Sequence, residues 1–198
     1  ELIKAAEAKA GNGSLSEGSI KLLMYELTQN EGIDLYANFN QEANAKVAKL
    51  FKEGTERLLA DEPLAYILGY QWFYGRKFKV DHNVFIPRYE TEELCAYVLE
   101  AIDEYFASSE KIKVADIACG SGAIAITIAC EEPKAQCYAT ELNSDTIAVA
   151  KQNAADLQAN IEFHIGDMLE PLIENKVKLD ILVSNPPYIR TNEILDAS

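Results

Sequence analysis

Five consecutive residues near the end of the chain, Ser184-Asn185-Pro186-Pro187-Tyr188, carry the most specific chemistry in the sequence. An amide or aryl-amine nitrogen delocalises its lone pair into a π system and is a poor nucleophile. The Asn185 side-chain oxygen and the Pro186 carbonyl can each accept one N–H of such an NH₂ group, which holds the nitrogen and favours positive charge as it develops there. Pro186 and Pro187 restrict the backbone and keep that carbonyl aimed. The Tyr188 ring can pack on a flat acceptor group. With an electrophilic methyl in line, roughly 3 Å away, most of the rate enhancement can come from positioning. No general base is needed before transfer, because the nitrogen becomes acidic once methylated. His82 and His164 are therefore read as ordinary hairpin and strand residues.

In isolation, two prolines after an apolar strand are only a rigid strand exit. A second constellation changes their meaning. Asp116-Ile117-Ala118-Cys119-Gly120-Ser121-Gly122-Ala123 lies where a strand turns into a helix, and glycines there let the backbone approach a ligand that any Cβ would push away. Glu141 ends the next strand, 21 positions after Gly120, where a carboxylate can accept from both hydroxyls of a ribose. Asp167 and Met168 end the third strand, and a carboxylate at that place can accept from an adenine amino group. A nucleoside-bearing cofactor is thus expected at the carboxyl ends of the strands. Which one stays open on these residues, since Gly120-x-Gly122-x-x-Ala125 also satisfies the relaxed dinucleotide fingerprint and NAD is a rival.

The surrounding elements are those that could hold such a site. Residues 16–29 place Ile20, Leu23, Met24 and Leu27 at helical spacing behind Ser16 and Glu17. Residues 40–60 repeat the pattern, with Gly54 as a weak point. Pro63 opens and Gly69 closes a short helical turn. Aromatic and β-branched residues over 72–87 read as a β-hairpin. A helix follows over 91–106, with Thr91 as its cap and Glu92 and Glu93 in its first turn. Beyond it, strands at 113–118, 136–141, 161–165 and 179–183 alternate with helices at 123–130 and 144–158. That alternation indicates a parallel, doubly wound α/β sheet, and the Asn185 segment leaves its fourth strand beside the crevice served by the Gly-rich loop.

Composition narrows the function classes. Apolar residues make up 48% of 198, so a core is affordable, and no run of 18 apolar residues is present for a membrane span. A charged, amphipathic first stretch argues against a secretory signal and makes the cytoplasm the expected compartment. Cys95, Cys119, Cys130 and Cys137 form no C-x-x-C pair and no zinc-ligand spacing with histidine, so no metal is expected. A net charge of −14, with Arg76, Lys77 and Lys79 the densest basic group, disfavours nucleic acid as direct substrate and suits a positively charged protein partner.

Three segments together resemble the release-factor glutamine methyltransferases, the PrmC or HemK family. They are Pro63-Leu64-Ala65-Tyr66-Ile67-Leu68-Gly69 with Trp72 and Phe73, then Ile86-Pro87-Arg88-Tyr89-Glu90-Thr91-Glu92, then the Gly-rich loop with Asn185–Tyr188. The Asn-Pro-Pro-Tyr motif alone is shared with DNA and RNA methyltransferases; the first two segments are specific to the family. The resemblance implies a helical domain for substrate recognition over 1–71, a β-hairpin linker over 72–90 and a Rossmann-like S-adenosylmethionine-dependent methyltransferase domain over 91–198. It implies transfer to the glutamine of the Gly-Gly-Gln motif in class I peptide-chain release factors. Cofactor contacts would come from Asp116, Ala118, Cys119, Gly120, Ser121, Gly122, Glu141, Asp167, Met168 and Asn185. Asn185, Pro186 and Tyr188 would be catalytic, and Asn185, Pro186, Pro187 and Tyr188 would hold the glutamine. Arg88 and Thr91 would lie near the cofactor entrance. Tyr89 stands where the family usually has Pro, Ala118-Cys119 replaces Gly-Thr, and Met168 takes the place of a frequent aromatic. Family members continue well past Ser198, so the chain is expected to be a fragment with an incomplete sheet and weak or absent turnover. A nucleic-acid amino-methyltransferase and a non-catalytic nucleotide-binding fragment are the alternatives.

Overall fold

The computed structural model describes residues 1–10 and 17–186, in two compact units, Glu1–Tyr70 and Gln71–Ser198. Ser16, read as a helix start, and Pro187 and Tyr188 lie outside the described residues.

The first unit is helical: α1 (Leu2–Ala10), α2 (Glu17–Asn30), α3 (Ala45–Leu59) and α4 (Leu64–Leu68). Its core is the apolar stripe legible in the sequence, with Ile20, Leu23 and Met24 against Val47, Phe51 and Leu58. Helix α3 starts five residues later than its periodicity suggests because Asn44 caps it, the side chain accepting from the Val47 N–H. Gly54 is not a weak point. A Cβ there would come within 2.9 Å of Leu23 Cδ2 and 3.2 Å of Ile67 Cγ2, so the missing side chain is what lets α2 and α4 pack closely. Gly69, at φ 79°, ends α4 in the left-handed conformation expected of a terminating glycine.

A hairpin follows, β1 (Tyr70–Phe73) and β2 (Arg76–Lys79), all but its first residue in the second unit. Its two-residue turn holds Tyr74 at φ 48° and Gly75 at φ 73°, the pair of positive values that matches strand twist in tight hairpins. Phe73 and Phe78 meet edge to face at 5.8 Å beneath it. Residues 81–83 form a separate turn closed by Asp81, so the hairpin is shorter than the 72–87 expected.

Next come α5 (Glu90–Tyr105), β3 (Ile112–Ile117), α6 (Ala123–Glu131), β4 (Ala135–Glu141), α7 (Ser144–Asp156), β5 (Ile161–Ile165), α8 (Glu170–Glu174) and β6 (Ile181–Ser184). The short helix α8 had no sequence signal strong enough to place it. The four strands are parallel in the order β5-β4-β3-β6, which is the doubly wound α/β arrangement. Alternate residues of β3 feed two clusters: Ile112 and Val114 join α5 and α6, while Ala115 and Ile117 join Leu172 of α8. Burial on both faces explains why this strand reads as nearly continuous apolar sequence.

The strand order reverses direction between β3 and β6. At such a switch point the loops leaving the two strands diverge to opposite faces and open a crevice beyond their carboxyl ends. The Gly-rich loop and Asn185 leave the sheet at that crevice.

Candidate active site

The loop after β3 is built for close approach. Ala118 (φ 58°), Gly120 (φ 56°) and Gly122 (φ 78°) all take left-handed backbone conformations. A Cβ on Gly120 would meet nothing within 4 Å, so open space lies where a ligand could sit. At Gly122 a Cβ would come within 2.9 Å of Ile126 and 3.3 Å of Ala150, so this glycine serves the packing of α6 on α7. Ala118 sits one residue beyond the strand in which it was expected. As a non-glycine residue at positive φ it carries strain of about 1 kcal/mol, so the departure from Gly at this position has a cost.

Two acidic groups face this loop. Asp116 is fully buried: its Oδ2 accepts the Ala125 N–H at 3.1 Å, while Oδ1 has no partner among the described residues. Burial pushes its carboxyl up to about 7, against the Ala125 hydrogen bond that lowers it and with Glu141 raising it further. Glu141 accepts the Gly120 N–H at 3.1 Å through Oε2, and the Leu142 and Asn143 N–H groups at 2.9 and 3.2 Å through Oε1. A carboxylate offers about four lone-pair sites, so three backbone donors leave room for one more before Gly120 must yield.

Cys119 is buried, donates its N–H to Thr140 O and accepts from Gly122 N–H. Burial raises its thiol well above the ordinary range, so it is an inert packing group. Ser121 is buried as well. Asp167 and Met168 are exposed beyond β5, reached through Gly166, whose N–H bonds Glu141 O. A Cβ at Gly166 would strike Pro171.

On the other wall, Ser184 is the register partner of Ile117, and its hydroxyl donates to Ile117 O at 2.7 Å. Asn185 and Pro186 follow at the crevice, directly across from Ala118. Asn185 is exposed, and its Nδ2 donates to the Thr91 hydroxyl at 2.8 Å. Thr91 does not cap α5; Tyr89 holds that position without a side-chain bond.

A residue with no sequence signal ties the site to the hairpin. Asn153 of α7 is 1% exposed. Its Oδ1 accepts the Lys79 N–H at 2.7 Å, and its Nδ2 donates to Lys79 O and Ser121 O at 3.1 and 2.9 Å. An asparagine in an amphipathic helix gives no hint of this bridge.

Glu141 can accept from the ribose of either candidate cofactor, and Asp116 is too deeply buried for a ligand to touch, so its role here is to hold the turn through the Ala125 N–H. Fold and site together define a Rossmann-like nucleoside-binding domain.

Comparison with known proteins agrees. Residues 78–197 match the Methyltransferase small domain and residues 2–69 the PrmC N-terminal domain. The release factor glutamine methyltransferase of Bacillus anthracis is 39% identical over 96% of this chain and 66% of its own length. That of Bacillus subtilis is 37% identical over 100% of this chain and 69% of its own. The chain thus spans about two thirds of the length of these curated relatives. A solved Pyrococcus abyssi tRNA (uracil-54, C5)-methyltransferase overlaps 60% of this chain and 28% of its own, with 19% identity and a TM-score of 0.45, and adds nothing to the assignment. The chain belongs to the release factor glutamine methyltransferase family.

Proposed function

We propose that this protein transfers a methyl group from S-adenosylmethionine to the side-chain amide nitrogen of the glutamine in the Gly-Gly-Gln motif of class I peptide-chain release factors. The observation that carries the reading is the position of Asn185. It leaves β6 across from the Gly-rich loop with its NH₂ engaged by Thr91, which frees its oxygen to accept from an incoming amide.

Ala118, Cys119, Gly120, Ser121, Gly122, Glu141, Asp167 and Met168 form the cofactor wall, with Asp116 holding its turn. Glu141 has capacity for a ribose hydroxyl. When bound, the cofactor supplies an electrophilic methyl on a sulfonium. Asn185 Oδ1 and the Pro186 carbonyl accept the two N–H bonds of the glutamine amide and hold its nitrogen toward that methyl, with Pro187 and Tyr188 completing the motif. As the N–C bond forms, positive charge grows on nitrogen and both acceptors strengthen their hold. The nitrogen then loses a proton to water, so no side chain is needed as base.

The helical unit is assigned to substrate recognition, the hairpin to a linker and residues from 91 onward to the methyltransferase domain. Among the described residues no helix is long and apolar enough to cross a membrane. The cytoplasm, where release factors act, is the compartment consistent with the proposed substrate.

The test is transfer of labelled methyl to a release factor, with a Gln→Ala change in the acceptor motif as control. Label that survives the control disproves the acceptor. Transfer to adenine or guanine in bare nucleic acid would revive the alternative substrate.

A further inference from the structure

We infer that Thr91 is a positioning residue that anchors the Asn185 carboxamide with its oxygen toward the substrate, an inference that rests on the proposed amide-methylation reading. The Asn185 carboxamide has two nearly isosteric orientations, related by a half-turn about its terminal torsion. Only one is productive. With Oδ1 toward the crevice, the side chain accepts from the substrate NH₂; flipped, it presents NH₂ to NH₂, and two donors repel.

Packing does not choose between these orientations, because Asn185 is exposed and stands at a strand exit. The substrate NH₂ itself favours Oδ1 toward the crevice, and the 2.8 Å bond from Nδ2 to Thr91 Oγ1 anchors the side chain in that orientation. Thr91 is itself well fixed. It is 8% exposed, lies in the first turn of α5, and its backbone N–H is held by Arg88 O at 3.0 Å. A buried hydroxyl on a helix is thus a rigid reference point for an exposed amide on a loop.

The bond has a second effect. A carboxamide that donates through nitrogen polarises toward its oxygen, which strengthens Oδ1 as an acceptor. Thr91 therefore acts on the reaction through Asn185 without touching the reacting atoms. This also accounts for Thr91 lying in the first turn of α5 without capping it.

The experiment compares Thr91→Val, which keeps the shape and removes the acceptor, with Thr91→Ser, which keeps the acceptor. Single-turnover methyl transfer to a release factor is measured at saturating S-adenosylmethionine, alongside cofactor affinity by calorimetry and the Asn185 side-chain ¹⁵N–H₂ signals by NMR. Loss of one neutral hydrogen bond predicts a rate about five- to tenfold lower in T91V, with cofactor affinity within about twofold of wild type. T91S should recover most of the rate. The Asn185 NH₂ signals should shift and exchange faster in T91V but stay near their wild-type positions in T91S.

A wild-type rate in T91V overturns the proposal, and so does a matching loss of rate and cofactor affinity. If the wild-type protein binds both S-adenosylmethionine and a release factor yet transfers no methyl, the proposed function fails. The NMR signals then decide the Thr91 role alone, and an Asn185 NH₂ pair indifferent to T91V refutes it.

Discussion

The two walls of the crevice are made differently. The β3–α6 wall is buried and densely bonded: the Gly120 N–H is held by Glu141, the Gly122 N–H by Cys119 O, and the Ser121 carbonyl by Asn153. The β6 wall is an exposed strand exit, where among the described residues one hydrogen bond, to Thr91, holds the Asn185 side chain. A cofactor that returns at every turnover benefits from a cradle formed in advance. The proposed protein substrate would reach the other wall from solvent, so acceptors for it cannot be buried. Order on that side is borrowed from a neighbouring helix.

The contrast can be broken from either side. Asn185→Ala removes the proposed substrate acceptor and should lower single-turnover transfer by about a hundredfold, the usual cost of one transition-state hydrogen-bonding group, while calorimetric cofactor affinity stays near wild type. Equal losses in both would erase the distinction between the walls. Asn153→Ala does the reverse. It strands the Lys79 N–H and carbonyl and the Ser121 carbonyl, and should cost about 2–3 kcal/mol in urea unfolding together with weaker cofactor binding. Unchanged stability would mean that solvent replaces these bonds freely.

The acidity of the buried wall gives a subtler test. Folding raises the Asp116 carboxyl from 3.8 to about 7, so the folded chain holds that proton more tightly than the unfolded one. Its contribution to stability is whole below the unfolded value and is lost as pH climbs to about 7. The melting temperature of the wild type relative to Asp116→Asn should therefore fall across that window and level off above it. Parallel profiles would show that Asp116 is not protonated in the folded state. The smallest effect is expected at Ala118, where φ is 58°. Replacement by Gly relieves left-handed strain, offset in part by unfolded-chain entropy, and should raise stability by about 0.5–1 kcal/mol. A lower melting temperature would show that the methyl packs favourably enough to offset the strain.

Legibility in the sequence followed the range of the interactions. Asn185, Gly120, Gly122 and Glu141 lie at the strand ends where the sequence alone puts them, because strand ends are set by local pattern. Gly54 was misread as a helix defect because its partners, Leu23 and Ile67, lie 31 and 13 positions away. Thr91 was read as a cap, since Thr ahead of two glutamates fits a helix start, and its bond spans 94 positions. Asn153 left no trace, because its partners are backbone atoms of Lys79 and Ser121, which carry no side-chain signature.

By itself the sequence determined the alternation of strands and helices, the family, the glycine turn and the Asn-Pro-Pro-Tyr segment, all set by local periodicity and steric rules. The tertiary structure decided what those parts face. Parallel pairing put Ser184 beside Ile117 and so brought the two strand exits to one crevice. It also left Asp116 buried with an unpartnered oxygen and turned the Asn185 amide onto a hydroxyl from another element. Burial and hydrogen bonding between distant segments depend on where the chain returns to itself, and no local pattern encodes that.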